Sequence, residues 1–92
     1  MIYAVDIDGI LTIDTDGYDY KNRIPNRENI IKINKLYNDG HIIVLFTSRD
    51  RIDKYITEQW MIKYGVKYHD LILNKPKYDF IIDDKILDIN KI

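Results

Sequence analysis

Two aspartates that could do chemistry, Asp6 and Asp8, stand near the amino terminus, directly after the apolar run of residues 2–5. Such a run is typical of a buried β-strand, in which alternate residues point to the same face. If the strand continues that far, the two carboxylates repel each other unless a cation lies between them or one takes up a proton. The spacing indicates either a site of this kind or, with Gly9 following, an ordinary turn at the end of a strand.

Polar side chains follow each of the later apolar runs as well. They are a hydroxyl pair, a lysine and a second acidic pair: Thr47 and Ser48, Lys75, and Asp83 and Asp84. Because the carboxyl ends of parallel strands meet at one edge of a sheet, we expect these groups to lie near Asp6 and Asp8.

This combination of groups suits phosphoryl transfer. A carboxylate can attack phosphorus and form an aspartyl-phosphate, and a divalent cation can screen it from the anionic substrate. Carboxylate oxygens are hard ligands that suit Mg²⁺. A hydroxyl and a lysine can hold the non-bridging oxygens, while a second acid protonates the leaving oxygen and later activates water.

The elements that must position these groups alternate along the chain. Apolar spacing predicts helices at about 26–39 and 50–64, a short last helix around 86–89, and strands at 2–5, 42–46, 71–73 and 80–82. The Asp16-Gly17 pair predicts a hairpin, interpreted as a β-flap over the first strand. We expect a single domain over residues 1–92, an α/β three-layer Rossmann-like fold with a parallel sheet in the order 3-2-1-4.

Composition narrows the classes of protein that fit. The chain has 92 residues, with 14 basic and 15 acidic side chains and a formal net charge of −1, which gives no general attraction to nucleic acid. No apolar run approaches the ~20 residues needed to span a bilayer. The absence of Cys and of a signal-like amino terminus favours a cytoplasmic protein. A core of this size is modest, which leaves homo-oligomer formation open.

The motifs resemble those of a known group of enzymes. Residues 6–12, Asp-Ile-Asp-Gly-Ile-Leu-Thr, resemble the first motif of the haloacid dehalogenase-like (HAD) hydrolases. Residues 46–48 resemble their second motif, Lys75 the third, and residues 80–84 the fourth. Segments such as Thr47-Ser48-Arg49 and Lys75-Pro76 are further similar to the small capless phosphatases of capsular-polysaccharide biosynthesis.

The resemblance implies a domain without a cap, with Asp6 as nucleophile and Asp8 as general acid/base. Thr47 and Lys75 would bind the phosphoryl group. The implied Mg²⁺ ligands are carboxylates and one main-chain carbonyl: Asp6, the carbonyl of Asp8, Asp83, and Asp84 directly or through water. The other candidates for substrate binding are Gly9, Ser48 and Arg49.

The sequence leaves several assignments open. Lys77 competes with Lys75 as the phosphate-binding lysine, although the lysine that precedes proline fits the motif better. Arg49 and Arg51 either bind substrate or pair with surface acids. Asp88 either reaches the metal's outer shell or belongs to a helix surface.

The predicted function is a Mg²⁺-dependent phosphatase acting on a small phosphorylated molecule, a sugar phosphate or glycan precursor. The alternatives are a nucleic-acid 3′-phosphatase and a receiver-type phosphoacceptor module. The chain's lack of net basic charge counts against the first. Against the second, the predicted strand at 42–46 is followed by Thr47, where a receiver would carry its accepting aspartate.

Overall fold

A computed structural model describes residues 1–92 and contains a parallel β-sheet with two α-helices. The strands are β1 (Ile2–Val5), β2 (Ile42–Phe46) and β3 (Asp70–Ile72), and the helices are α1 (Arg27–Asn38) and α2 (Lys54–Lys63). Short 3₁₀ turns occupy Tyr20–Asn22, Arg51–Asp53 and Ile89–Lys91. Neither helix is long and apolar enough to cross a membrane.

The sheet has the order β1-β2-β3, and both pairings are parallel. Val5 is paired with Leu45, and Phe46 with Ile72, so all three strands end at the same edge. The side chains of the central strand β2 alternate, with Ile43 and Leu45 fully buried and their neighbours only partly covered.

Helix α1 begins and ends where the sequence predicts. The Asn26 side chain accepts a hydrogen bond from the main-chain N–H of Asn29 at 3.1 Å, which caps the first turn. Ile30 and Ile33 face the core, and Gly40 reverses the chain with a φ of +94°. The second helix is shorter than predicted, because residues 51–53 form a 3₁₀ turn before it.

The predicted three-layer, four-stranded fold with the order 3-2-1-4 is wrong, because residues 80–82 form no strand. Phe80 is 90% and Ile82 is 101% exposed. The ten buried apolar side chains of the core all lie between Val5 and Val66, so the core closes without this segment. A run of three apolar residues between acidic neighbours could form few strand-to-strand hydrogen bonds and bury little apolar surface. The last predicted helix, around residues 86–89, is also wrong, since only a 3₁₀ turn at Ile89–Lys91 forms there.

The predicted β-flap is also wrong. Residues 14–19, here called the flap loop, carry no strand, and an isolated bridge between Thr12 and Pro25 is the nearest β-pairing. The main-chain carbonyls of Thr15, Asp16 and Gly17 accept hydrogen bonds from the Arg23 side chain instead of from a second strand. The middle of the loop is therefore held by one side chain and not by a second strand.

Candidate functional site

A polar cavity of about 320 Å³ opens beyond the carboxyl ends of the strands. Its lining comes from the segments that follow each strand: Asp6, Ser48, Lys75, Pro76, Lys77 and Tyr78. The parallel pairing explains this convergence, since it brings the ends of β1, β2 and β3 to one edge.

Asp6 and Lys75 form the central pair of this cavity. Lys75 Nζ lies 3.6 Å from Asp6 Oδ1, and the lysine side chain is only 9% exposed while that of Asp6 is 42% exposed. The ammonium group also lies 5.1 Å from the centre of the Phe46 ring and 5.3 Å from that of Tyr78. Aromatic faces attract cations, so the two rings hold the ammonium beside an accessible carboxylate.

The backbone brings Lys75 to this position. Its main-chain N–H donates to the carbonyl of Thr47 at 2.9 Å, and that of Asn74 donates to the carbonyl of Arg49 at 2.8 Å. Asn74 has a φ of +59°, a left-handed conformation that asparagine tolerates better than most residues. The segment after β3 is thereby fastened to the segment after β2.

Asp8 lies in a second cluster. The Asp8 Oδ1 atom accepts hydrogen bonds from Arg49 Nη2 at 2.7 Å and Arg23 Nε at 3.1 Å, and Oδ2 accepts from Arg49 Nε at 3.0 Å. The two acids therefore have different partners. The strand does not continue to Asp8, because the chain turns at Ile7, whose carbonyl accepts main-chain hydrogen bonds from Ile10, Leu11 and Thr12.

Tyr20 completes this cluster, called here the Asp8 cluster (Asp8, Arg23, Arg49 and Tyr20). Its ring centre lies 4.1 Å from the guanidinium carbon of Arg49 and 5.1 Å from that of Arg23. Burial raises the pKa of the Tyr20 phenol, and the negative charge of Asp8 raises it further. Both arginines are 2% exposed.

Arg23 and Tyr20 are the residues that sequence reasoning missed. They stand in the irregular segment before α1, where no apolar period or motif marks them. A buried arginine needs an acidic partner, but the sequence does not say which of the many aspartates supplies it.

The remaining predicted residues lie in several places. Ser48 lines the cavity, whereas Thr47 is 1% exposed and its hydroxyl accepts a hydrogen bond from the Arg49 N–H at 3.2 Å. The Gly9 N–H donates to the Thr12 hydroxyl at 3.2 Å, in a turn where Gly9 has a φ of +91°. Lys77 lines the cavity but is exposed.

The expected Mg²⁺ ligands are not brought together. The structure contains no group of three or more histidine, aspartate or glutamate side chains placed to hold a metal ion. Asp6 pairs with Lys75, both oxygens of Asp8 face arginines, and Asp83 and Asp84 are exposed and outside the cavity. The residues present therefore do not fit the ion in this arrangement.

The acids near the carboxyl terminus have local partners. Asp83 Oδ1 accepts a hydrogen bond from the main-chain N–H of Lys85 at 2.9 Å, which lowers the pKa of Asp83, and a hydrogen bond with Asp84 lowers it further. Asp88 caps the last 3₁₀ turn by accepting from the Asn90 N–H at 2.9 Å.

No protein-family model matches the chain, and no curated protein matches it. The chain is similar to the crystal structure of a structural-genomics target from Vibrio cholerae, with 28% identity and a TM-score of 0.85. The match covers 98% of this chain and 85% of that one. It supports the path of the backbone over nearly the whole length, and it supplies no link to the HAD hydrolases.

Proposed function

We propose that the protein is a phosphomonoester hydrolase in which Asp6 attacks the phosphorus of a small phosphorylated substrate. The observation that carries the proposal is the Asp6–Lys75 pair, an accessible carboxylate 3.6 Å from a nearly buried ammonium group at an open polar cavity. The resemblance of four successive motifs to the HAD hydrolases supports the same activity.

Each cavity residue has a defined task in this proposal. The Lys75 ammonium and the Ser48 hydroxyl bind non-bridging oxygens of the phosphoryl group. A carboxylate oxygen of Asp6 forms a bond to phosphorus while the ester P–O bond breaks, which gives an aspartyl-phosphate and a leaving alcohol. Water then attacks this phosphorus, which releases inorganic phosphate and restores the Asp6 carboxylate.

The proton for the leaving oxygen is assigned to Asp8 through the resemblance alone. Both oxygens of Asp8 accept hydrogen bonds from arginines here, so this role requires Asp8 to release at least one of them. The resemblance also implies Mg²⁺. Because the residues do not form a site for the ion, none of the steps above uses it. The assay below measures whether activity requires Mg²⁺.

The proposed substrates are sugar phosphates or related glycan precursors in the cytoplasm. The cavity is open, and Tyr78, which is 49% exposed, stands at its rim beside Lys77. Aromatic rims suit the apolar face of a sugar ring, and the lysines suit its phosphate. A formal net charge of −1 disfavours a nucleic-acid substrate.

The assay compares p-nitrophenyl phosphate, a panel of sugar phosphates and 3′-phosphorylated oligonucleotides, each with added Mg²⁺ and with a chelator. We expect turnover of small phosphomonoesters that Asp6→Asn abolishes, with Asp39→Asn, an exposed acid at the end of α1, as the matched control. Absence of turnover on the whole panel would refute the proposal. A stable phosphoprotein formed from acetyl phosphate without turnover would favour the receiver-type alternative.

A further inference from the structure

We propose that Arg23 is a positioning residue that ties the flap loop to Asp8, so that loop and carboxylate are held as one unit beside the cavity. The consequence for catalysis rests on the proposed function. The tie itself rests on contacts within the chain and is measured without any substrate.

The Arg23 side chain uses its whole guanidinium group for this task. Nε donates to Asp8 Oδ1 at 3.1 Å, while Nη1 donates to the Asp16 carbonyl at 2.6 Å and contacts Asp14 Oδ2 at 3.5 Å. Nη2 donates to the carbonyls of Gly17 at 2.8 Å and Thr15 at 3.3 Å. A guanidinium has five N–H donors, and here five acceptors surround it.

The middle of the flap loop depends on this one side chain. The end at Asp14 has other contacts, since Asp14 Oδ1 accepts from the Ile24 N–H at 2.8 Å and the Asp14 carbonyl accepts from the Thr12 hydroxyl at 2.9 Å. The carbonyls of Thr15, Asp16 and Gly17 accept hydrogen bonds only from Arg23.

The tie continues from Asp8 to the cavity. Asp8 is bound on its other side by Arg49, whose main-chain carbonyl accepts the hydrogen bond from Asn74, the residue before Lys75. Arg49 Nη1 also donates to the Thr57 hydroxyl at 3.0 Å, which fixes the arginine against α2. The flap loop is thereby connected through Arg23, Asp8 and Arg49 to the segment that carries the Lys75 ammonium.

Lysine cannot replace this arginine. Its ammonium group is a single point with three donors, whereas the planar fork of arginine reaches Asp8 on one side and the loop carbonyls on the other. Arg23→Lys keeps the charge beside Asp8, and Arg23→Gln removes it but leaves the bidentate pair of Asp8 with Arg49. Arg27→Gln is the matched control, because Arg27 is exposed, forms no side-chain hydrogen bond or salt bridge, and has its guanidinium carbon 5.5 Å from the centre of the Tyr64 ring.

The experiment combines backbone ¹⁵N relaxation with kinetics on p-nitrophenyl phosphate. We expect the backbone order parameters of residues 15–18 to fall from about 0.85 to below about 0.6 in Arg23→Lys and Arg23→Gln, and to stay unchanged in Arg27→Gln. We expect kcat to fall with KM nearly constant, because Arg23 does not line the cavity.

The outcomes separate the two claims. Unchanged order parameters of the loop in Arg23→Lys overturn the tie, and this variant decides the question if Arg23→Gln does not fold. A loosened loop with kcat at the wild-type value, or an effect confined to KM, overturns the positioning role. If the wild-type protein hydrolyses no substrate, the proposed function fails, and the relaxation measurement alone supports or overturns the tie between Arg23 and the loop.

Discussion

The ammonium group of Lys75 lies 3.6 Å from the carboxylate of Asp6, although the two residues are far apart in the sequence. The pair exists because β1, β2 and β3 run parallel and because the backbone after β3 is hydrogen-bonded to Thr47 and Arg49. Asp6 thus has a cation beside it that can also attract a phosphoryl group. The neighbouring acid, Asp8, belongs to the separate Asp8 cluster.

The cavity distinguishes its two lysines. Lys75 is nearly buried and its ammonium group lies near the faces of two aromatic rings, whereas Lys77 is exposed. We expect Lys75→Met to raise KM for p-nitrophenyl phosphate about tenfold or more, since a charge-assisted hydrogen bond contributes roughly 1.5–3 kcal/mol. Lys77→Met should have a smaller effect. Steady-state kinetics on both variants checks this, and the reverse order would make Lys77 the phosphate-binding residue.

The Asp8 carboxylate is paired with two buried arginines, so removing its charge should lower the stability of the fold in addition to any effect on activity. We expect Asp8→Asn to lower the free energy of unfolding by about 3 kcal/mol, because it leaves Arg49 without a charged partner and leaves Arg23 with only the Asp14 carboxylate at 3.5 Å. Asp39→Asn, which breaks an exposed pair with Lys35, should change it by less than about 1 kcal/mol. Urea unfolding followed by circular dichroism measures both, and equal effects would contradict the buried cluster.

The phenol of Tyr20 should make stability sensitive to alkaline pH. Its pKa is raised from the ordinary value of 10.0 by burial and by the charge of Asp8. A group whose folded pKa exceeds its unfolded value contributes stability that is complete below the unfolded pKa and disappears as pH rises through the folded one. Tyr20→Phe should therefore flatten the loss of stability above pH 10.0. Identical alkaline profiles for the two proteins would refute the shift.

Substitution of two isoleucines tests whether the sheet has three strands, because one lies in β2 and the other in the segment 80–82, which was predicted to be a fourth strand. Ile43 is fully buried in β2, whereas Ile82 is 101% exposed. We expect Ile43→Ala to destabilise the protein by about 3 kcal/mol and Ile82→Ala to stay within about 0.5 kcal/mol. Chemical unfolding compares them directly. A large loss in Ile82→Ala would mean that residues 80–82 are packed after all.

The difference between these two runs also explains what the sequence could predict. β2, with five apolar residues between a helix-ending glycine and polar residues, was located correctly at 42–46, and α1 was located by its cap and its period. Residues 80–82 are also phenylalanine and isoleucine, as in much of β2. A run of only three such residues does not show whether the core can accommodate them. Burial depends on the rest of the chain, and here the core is complete by Val66.

The candidate site, like the fold, could be predicted from the sequence only in part. Strand ends are local features, so Asp6, Ser48 and Lys75 could be expected at one edge of the sheet, and the cavity contains all three. The partners of Asp8 could not be foreseen, because the direction of its side chain depends on a turn at Ile7 and on arginines distant in sequence. The predicted metal ligands depended on the fourth strand, and without that strand the acids at 83 and 84 remain apart from the cavity.

The most direct test of the account is to quench the enzyme during turnover and to reduce the acyl phosphate with tritiated borohydride, which releases the phosphate and leaves tritium on the reduced residue. The proposal predicts that the tritium is on the peptide containing Asp6 and that mass spectrometry finds homoserine at that position. Turnover that persists in Asp6→Asn, or a label on any other residue, would contradict it.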